Sequence, residues 1–272
     1  MAKMFGLFDF QKEGPGVEKT TKKENSVKLF FRLFFQNFFR FMLINTVYVL
    51  MCLPIVTHGM ANAGITNVTR NIARQKHSFG ISDFFETIRK NIKQSLAVGV
   101  INTVITALIA FAVWFYFQDY RVSGGMLSLG GLAISLSIAI VYVTMNFYIY
   151  TLMITFDFSI KALYKNSLKF AMLNLPKNIL CGVIILLVLF VYLAIGWATL
   201  DMRVWLIELL VFIQTFPAFS KMLIQFFTFG SIKKHIIDPY YAEHPDLDIE
   251  KRRNLGLEIP EEDEDDDYVS WE

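Results

Sequence analysis

The sequence predicts an all-α, polytopic helical membrane protein with about six transmembrane helices and amphipathic cytoplasmic helices. Three observations carry this expectation. Apolar residues occur in runs of about 20, the length a bilayer crossing needs. Phenylalanine is abundant, 27 in 272 residues, which suits lipid contact and the membrane interface. Between the apolar runs, Lys and Arg gather in alternate links, the pattern expected when the basic links stay in the cytoplasm.

Residues 1–28 are charged and have no early apolar core, unlike a cleavable signal. They are read as a cytoplasmic lead-in interrupted by Gly14-Pro15-Gly16. The membrane domain is expected over 29–235. In 29–41, Arg32, Gln36 and Arg40 recur every fourth residue and phenylalanines fill most of the remaining helix surface. Such a stretch suits a helix lying in the interface. The first span follows at about 41–57, and Pro54 closes or kinks it.

Residues 57–74 are polar for a crossing. If they remained outside, Arg70, Arg74, Lys76, Arg89, Lys90 and Lys93 would all be external. Returning the chain through a short second span puts them all inside. Residues 79–93 then read as an amphipathic cytoplasmic helix capped by Ser82 or Asp83. Further spans follow at about 94–118, 126–155, 178–199 and 204–228. The external links hold only Arg121 and Arg203, while 157–177 carries four lysines inside. The layout is multi-pass with both termini cytoplasmic. The tail, 236–272, ends in an acidic block with nine Asp and Glu and no Lys or Arg over 258–272, a composition that does not fold. Cys52 and Cys181 are expected at opposite membrane faces and unpaired.

The second span shows a polar or small face. Gly59, Ala63, Asn67 and Asn71 form one row; Asn62, Thr66, Arg70 and Arg74 form the next. Unsatisfied amides are costly in hydrocarbon. This face therefore either lines a polar cavity or packs against amides of other helices, Asn45, Asn102 or Asn146. The candidate binding residues are Asn45, Thr57, His58, Asn62, Thr66, Asn67, Arg70 and Asn71. Tyr48, Trp114 and Trp197 are candidate aromatic platforms, and Glu208 is an intramembrane acid expected to snorkel or pair with an external Arg. The four histidines have no metal-ligand spacing. No nucleophile elbow, phosphate loop or dinucleotide motif occurs. The expectation is a non-enzyme with no catalytic residues, metal or cofactor. Anionic lipid accounts for the basic helices, and no nucleic-acid partner is expected.

The chain resembles the YesL-like family of bacterial membrane proteins. The likeness is carried by Phe8-Asp9-Phe10 before Gly14-Pro15-Gly16-Val17, by Asn45, and by Leu53-Pro54-Ile55-Val56-Thr57-His58-Gly59. It continues in Phe84-Phe85 ahead of Arg89-Lys90-Asn91-Ile92-Lys93-Gln94. Where the family places a proline after that glycine, this chain has Met60. The resemblance implies a bacterial cell membrane protein with no established biochemical activity. Its members are often encoded beside carbohydrate uptake and polysaccharide breakdown systems. Two functional expectations follow. One is an accessory or interaction component, with a carbohydrate transporter complex as partner. The other is a permease or channel for a small polar solute.

Overall fold

A computed structural model describes residues 25–199 and 201–243. The Gly14-Pro15-Gly16 breaker, most of the 1–28 lead-in and the acidic block all lie outside the described residues. Among the described residues every regular element is helical. The order is α1 (Ser26–Gln36), α2 (Phe38–Cys52), a 3-10 turn (Ile55–Thr57), α3 (His58–Ala73), α4 (Ile81–Ser123) and α5 (Met126–Met153). Next come α6 (Ile160–Leu173), α7 (Leu175–Thr199) and α8 (Met202–Ile232). A π-turn at Lys233–Ile237 leads into α9 (Asp238–Glu243).

Four helices are long and apolar enough to cross a membrane: α4, α5, α7 and α8 with its continuation. A fifth is added if α1 and α2, bent by 73°, count as one broken span. The chain is therefore a helical membrane protein. The expected layout of about six crossings differs from this at α3. That helix has only 16 residues, roughly 24 Å at the α-helical rise. Eleven of them are buried, against helices rather than lipid.

Side-chain bonds set the levels of the long helices. Asn102 meets Asn146 and Asp119 meets Ser128, which aligns α4 antiparallel to α5. Gln225 donates to Thr151, which aligns α8 parallel to α5. Tyr192 bonds Thr215, and Asn174 bonds Ser231, which pairs α7 with α8. At the start of α3, Gly59 lies against Ser95 and Gly99 of α4. About 20 residues of α4, roughly 30 Å, extend beyond that crossing to Asp119. The α2–α3 hairpin thus stops well short of the far end of α4.

Local chemistry explains the breaks. Asn25 accepts from the Val27 N–H and starts α1. Asn37 divides α1 from α2: its side-chain amide donates to the Leu33 carbonyl at 2.9 Å and its Oδ1 accepts from Arg40. Pro54 ends the α2 segment as expected, and the Thr57 hydroxyl closes the turn onto the Met51 and Pro54 carbonyls. The cap of α4 differs from expectation. Gly80, with φ +66°, occupies the N-cap, and Asp83 reaches back to the Ser78 hydroxyl and the Phe79 N–H. The amphipathic segment and the following span form one α4 helix, bent at Asn91, where φ is −117° and ψ 18°. On α5, Gly131 takes the Tyr116 ring of α4 against its backbone. Cys52 and Cys181 are both free thiols.

The bundle has one basic end. It gathers Arg70, Arg74, Lys76, the first turns of α4, the α6 lysines, Lys177, Lys233 and Lys234, whereas the opposite links carry Arg121 and Arg203.

Candidate functional site in the bundle cleft

The eight candidate binding residues are mostly used within the fold. Asn45 bonds to α8, donating to the Gln214 carbonyl at 2.8 Å and accepting from the Ala218 N–H at 2.9 Å. Thr57 belongs to the turn just described. Asn62 donates to the His58 carbonyl at 2.9 Å and contacts the His58 ring nitrogen at the same distance. Thr66 is buried, and its hydroxyl has no hydrogen-bond partner among the described residues. Asn67 donates to Thr87 of α4 at 2.7 Å and accepts from Arg70 at 2.7 Å. Arg70 also donates to the Thr155 hydroxyl and the Ile154 carbonyl at the end of α5. Asn71 gives its backbone carbonyl to the Lys76 N–H.

Arg74 lies 4.2 Å over the Phe229 ring, a contact that holds a guanidinium without an acid. In the adjoining loop, burial and then the charges of Arg74 and Arg70 hold the Lys76 ammonium below the usual lysine range. Glu208, expected to snorkel or pair with an external Arg, has its Oε2 against the backbone of Gly196 on α7. Its oxygens have no hydrogen-bond partner among the described residues.

The main cleft lies elsewhere. It has a volume of about 1160 Å³, is open rather than enclosed, and runs between the α4/α5 pair and the α7/α8 pair. Along α4 it is lined from Asn102 to Phe117, a height of roughly 22 Å at the helical rise. Its walls are apolar, with Trp114 and Phe117 on α4 and Leu136 on α5. Of the eight candidate binding residues only His58 lines it, beside Cys52 and Ile55 at the hairpin tip. Of the three expected aromatic platforms, Trp114 alone does so.

The polar groups of the cleft sit together at its floor. Asn102 is the hub. Its amide donates to the Asn146 Oδ1 at 3.1 Å, and its own Oδ1 accepts from Tyr142 at 3.2 Å and Tyr164 at 2.7 Å. Next to this hub is Lys221 of α8, its ammonium 5.4 Å from the centre of the Tyr150 ring. Among the described residues no Asp or Glu lines the cleft, and Lys221 has no ion-pair partner. A cation in a membrane helix normally faces a bundle interior or cavity and meets a partner there. The arrangement can therefore receive a group that brings an acceptor or negative charge, with an apolar body above it.

Sequence reasoning passed over Lys221. Its signal was present: between Arg203 and Lys233 it is the single basic residue of a helix long enough to span. No group of three or more His, Cys, Asp or Glu among the described residues is placed to hold a metal ion.

The fold and cleft define an all-α membrane protein with an intramembrane cation at the base of an open groove. Residues 41–113 match the family described as "Protein of unknown function, DUF624", in which the YesL-like proteins fall. The matched stretch covers most of α2, all of α3 and most of α4, including His58 and Asn102. No curated protein and no solved structure matches the chain.

Proposed function

We propose that this chain is a non-enzymatic accessory component of the bacterial cell membrane, working beside a carbohydrate-uptake complex and receiving a segment of that partner in the α4/α5–α7/α8 cleft. The observation that carries the reading is the cleft itself. An apolar groove roughly 22 Å high suits a helix of another membrane protein, and Lys221 at its floor calls for an acceptor on that helix. The carbohydrate link rests on the family resemblance alone. Placing the basic end in the cytoplasm follows the charge bias. A hairpin that enters and leaves by one face keeps both termini on the same side, as six crossings would.

Two measurements test this. A photo-crosslinking residue replacing Val113 should give, in native membranes, an adduct with a second membrane protein, weakened by Lys221→Met. Adducts with lipid alone at every cleft position would remove the reading. A cysteine at His77 should resist impermeant thiol reagents on whole cells, while one at Ser123 should react. The reverse pattern would invert the placement.

A second reading, a permease for a small polar solute, is favoured by the clustering of Lys221, His58, Asn102 and Asn146 at the floor. In proteoliposomes containing this chain alone, Lys221→Met should then lower uptake by about tenfold, the equivalent of ~1.4 kcal/mol. Absence of uptake across a broad solute panel excludes it. Asn67 is not the diagnostic position, because it is bonded to Thr87 and Arg70 outside the cleft.

A further inference from the structure

A second groove, about 580 Å³, lies on another side of the bundle, between α1, α7 and α8. Its composition is divided along its length. Phe30, Phe219, Leu223 and Phe226 supply an apolar part. Phe30 packs edge-on against both Phe219 and Phe226, with ring centres 5.4 Å apart. The polar part comes from the α6–α7 junction, the first turn of α7, the end of α8 and the π-turn: Asn174, Lys177, Ser231, Lys234 and His235. Asn174 donates to Ser231 and ties these two helix ends together.

The charge of this groove has one sign. Among the described residues no Asp or Glu lines it. Neither Lys177 nor Lys234 has an ion-pair partner among the described residues. Position and chemistry agree. The lysines stand at the basic end of the bundle, where headgroups lie, and the phenylalanines stand deeper, beside hydrocarbon. A soluble anion would leave the apolar part empty, whereas a lipid fills both parts at once.

We propose that this groove is a site for an anionic phospholipid. Its phosphodiester sits between Lys177 and Lys234, with the Asn174–Ser231 pair at hand, and one acyl chain lies along Phe219, Leu223 and Phe226. Basic pockets between membrane helices at the cytoplasmic face hold anionic headgroups by this combination of charge and apolar contact. The α1 helix, set at 73° to α2, forms one wall, so lipid bound here would hold α1 against the bundle. This site is independent of the cleft and of the function proposed for it.

The test is native mass spectrometry of the full chain released from nanodiscs of equal parts phosphatidylglycerol and phosphatidylcholine. Wild type should retain phosphatidylglycerol in clear preference. Lys177→Gln with Lys234→Gln should reduce that retention by about tenfold, and Leu223→Trp, which fills the apolar part, should reduce it while leaving both charges in place. Lys161→Gln with Lys165→Gln removes the same charge from α6, away from the groove, and should change nothing. Added inorganic phosphate should not displace the lipid; displacement would mean a free-anion site. Equal retention of the two lipids, or equal loss in the α6 control, overturns the proposal.

Discussion

Gly59→Ala is expected to move most of the protein out of the monodisperse fraction on size-exclusion chromatography in mild detergent. A Cβ at this position would stand 2.1 Å from the Ser95 carbonyl oxygen, 2.6 Å from the Gly99 Cα and 2.8 Å from the Gly99 nitrogen. The obstruction is reciprocal, since a Cβ on Gly99 would come within 2.7 Å of the Gly59 Cα. All of these are backbone atoms, so no rotamer change relieves the clash. Overpacking a core ordinarily costs about 1–3 kcal/mol through side-chain shifts; here the two helices themselves must separate, and the loss should reach or pass the upper value. Gly59→Leu should be worse still. Gly130→Ala is the internal control, because a Cβ there meets nothing within 4 Å. If Gly59→Ala eluted and melted like wild type, the close crossing of α3 and α4 would be wrong. With it would go the placement of His58 at the cleft floor.

This crossing also shows where sequence reading stops. The long apolar helices were legible because each carries its own signal: the stretches expected at 126–155 and 178–199 appear as Met126–Met153 and Leu175–Thr199. Local punctuation was legible too, as at Pro54. What escaped depends on partners distant in sequence. Gly59 stands out in the Leu-Pro-Ile-Val-Thr-His-Gly element, yet the reason for a glycine is Gly99, forty positions on. The polar face of α3 left two alternatives, cavity or packing, because an amide pattern does not say what it meets. The structure brings Asn67 to Thr87 and Arg70 to Thr155. The second span was inferred from where its arginines should lie, but charge bias constrains which face a link occupies, not how deep a hairpin reaches. Lys221 was visible as a charge but not as a floor. Only the meeting of the hairpin tip with α4, α5 and α8 gives it a cleft to face.

Asn45→Leu is the second substitution expected to cost most, and it can be separated from a generic core defect. Asn45 is fully buried. Its amide donates to the Gln214 carbonyl and accepts from the Ala218 N–H, the two groups a regular helix joins to each other, i to i+4. Pro217 lies between them. Proline lacks an N–H and its ring crowds the carbonyl four residues back, which opens the helix at that turn. Asn45 thus serves the backbone of α8 beside its own break, and Thr46 adds a bond to the Gln214 side chain at 2.9 Å. A leucine of similar volume would leave a donor and an acceptor without this partner, each worth about 1–3 kcal/mol when buried. Pro217→Ala supplies the discriminating background: with the proline gone, Gln214 and Ala218 can bond to each other, so Asn45→Leu should cost less than half of what it costs beside Pro217. Such non-additivity is expected only of residues acting on one shared feature. Thermal unfolding of the four proteins of this cycle, in one detergent, measures it. Equal costs in both backgrounds would mean that Asn45 packs against α8 without repairing it.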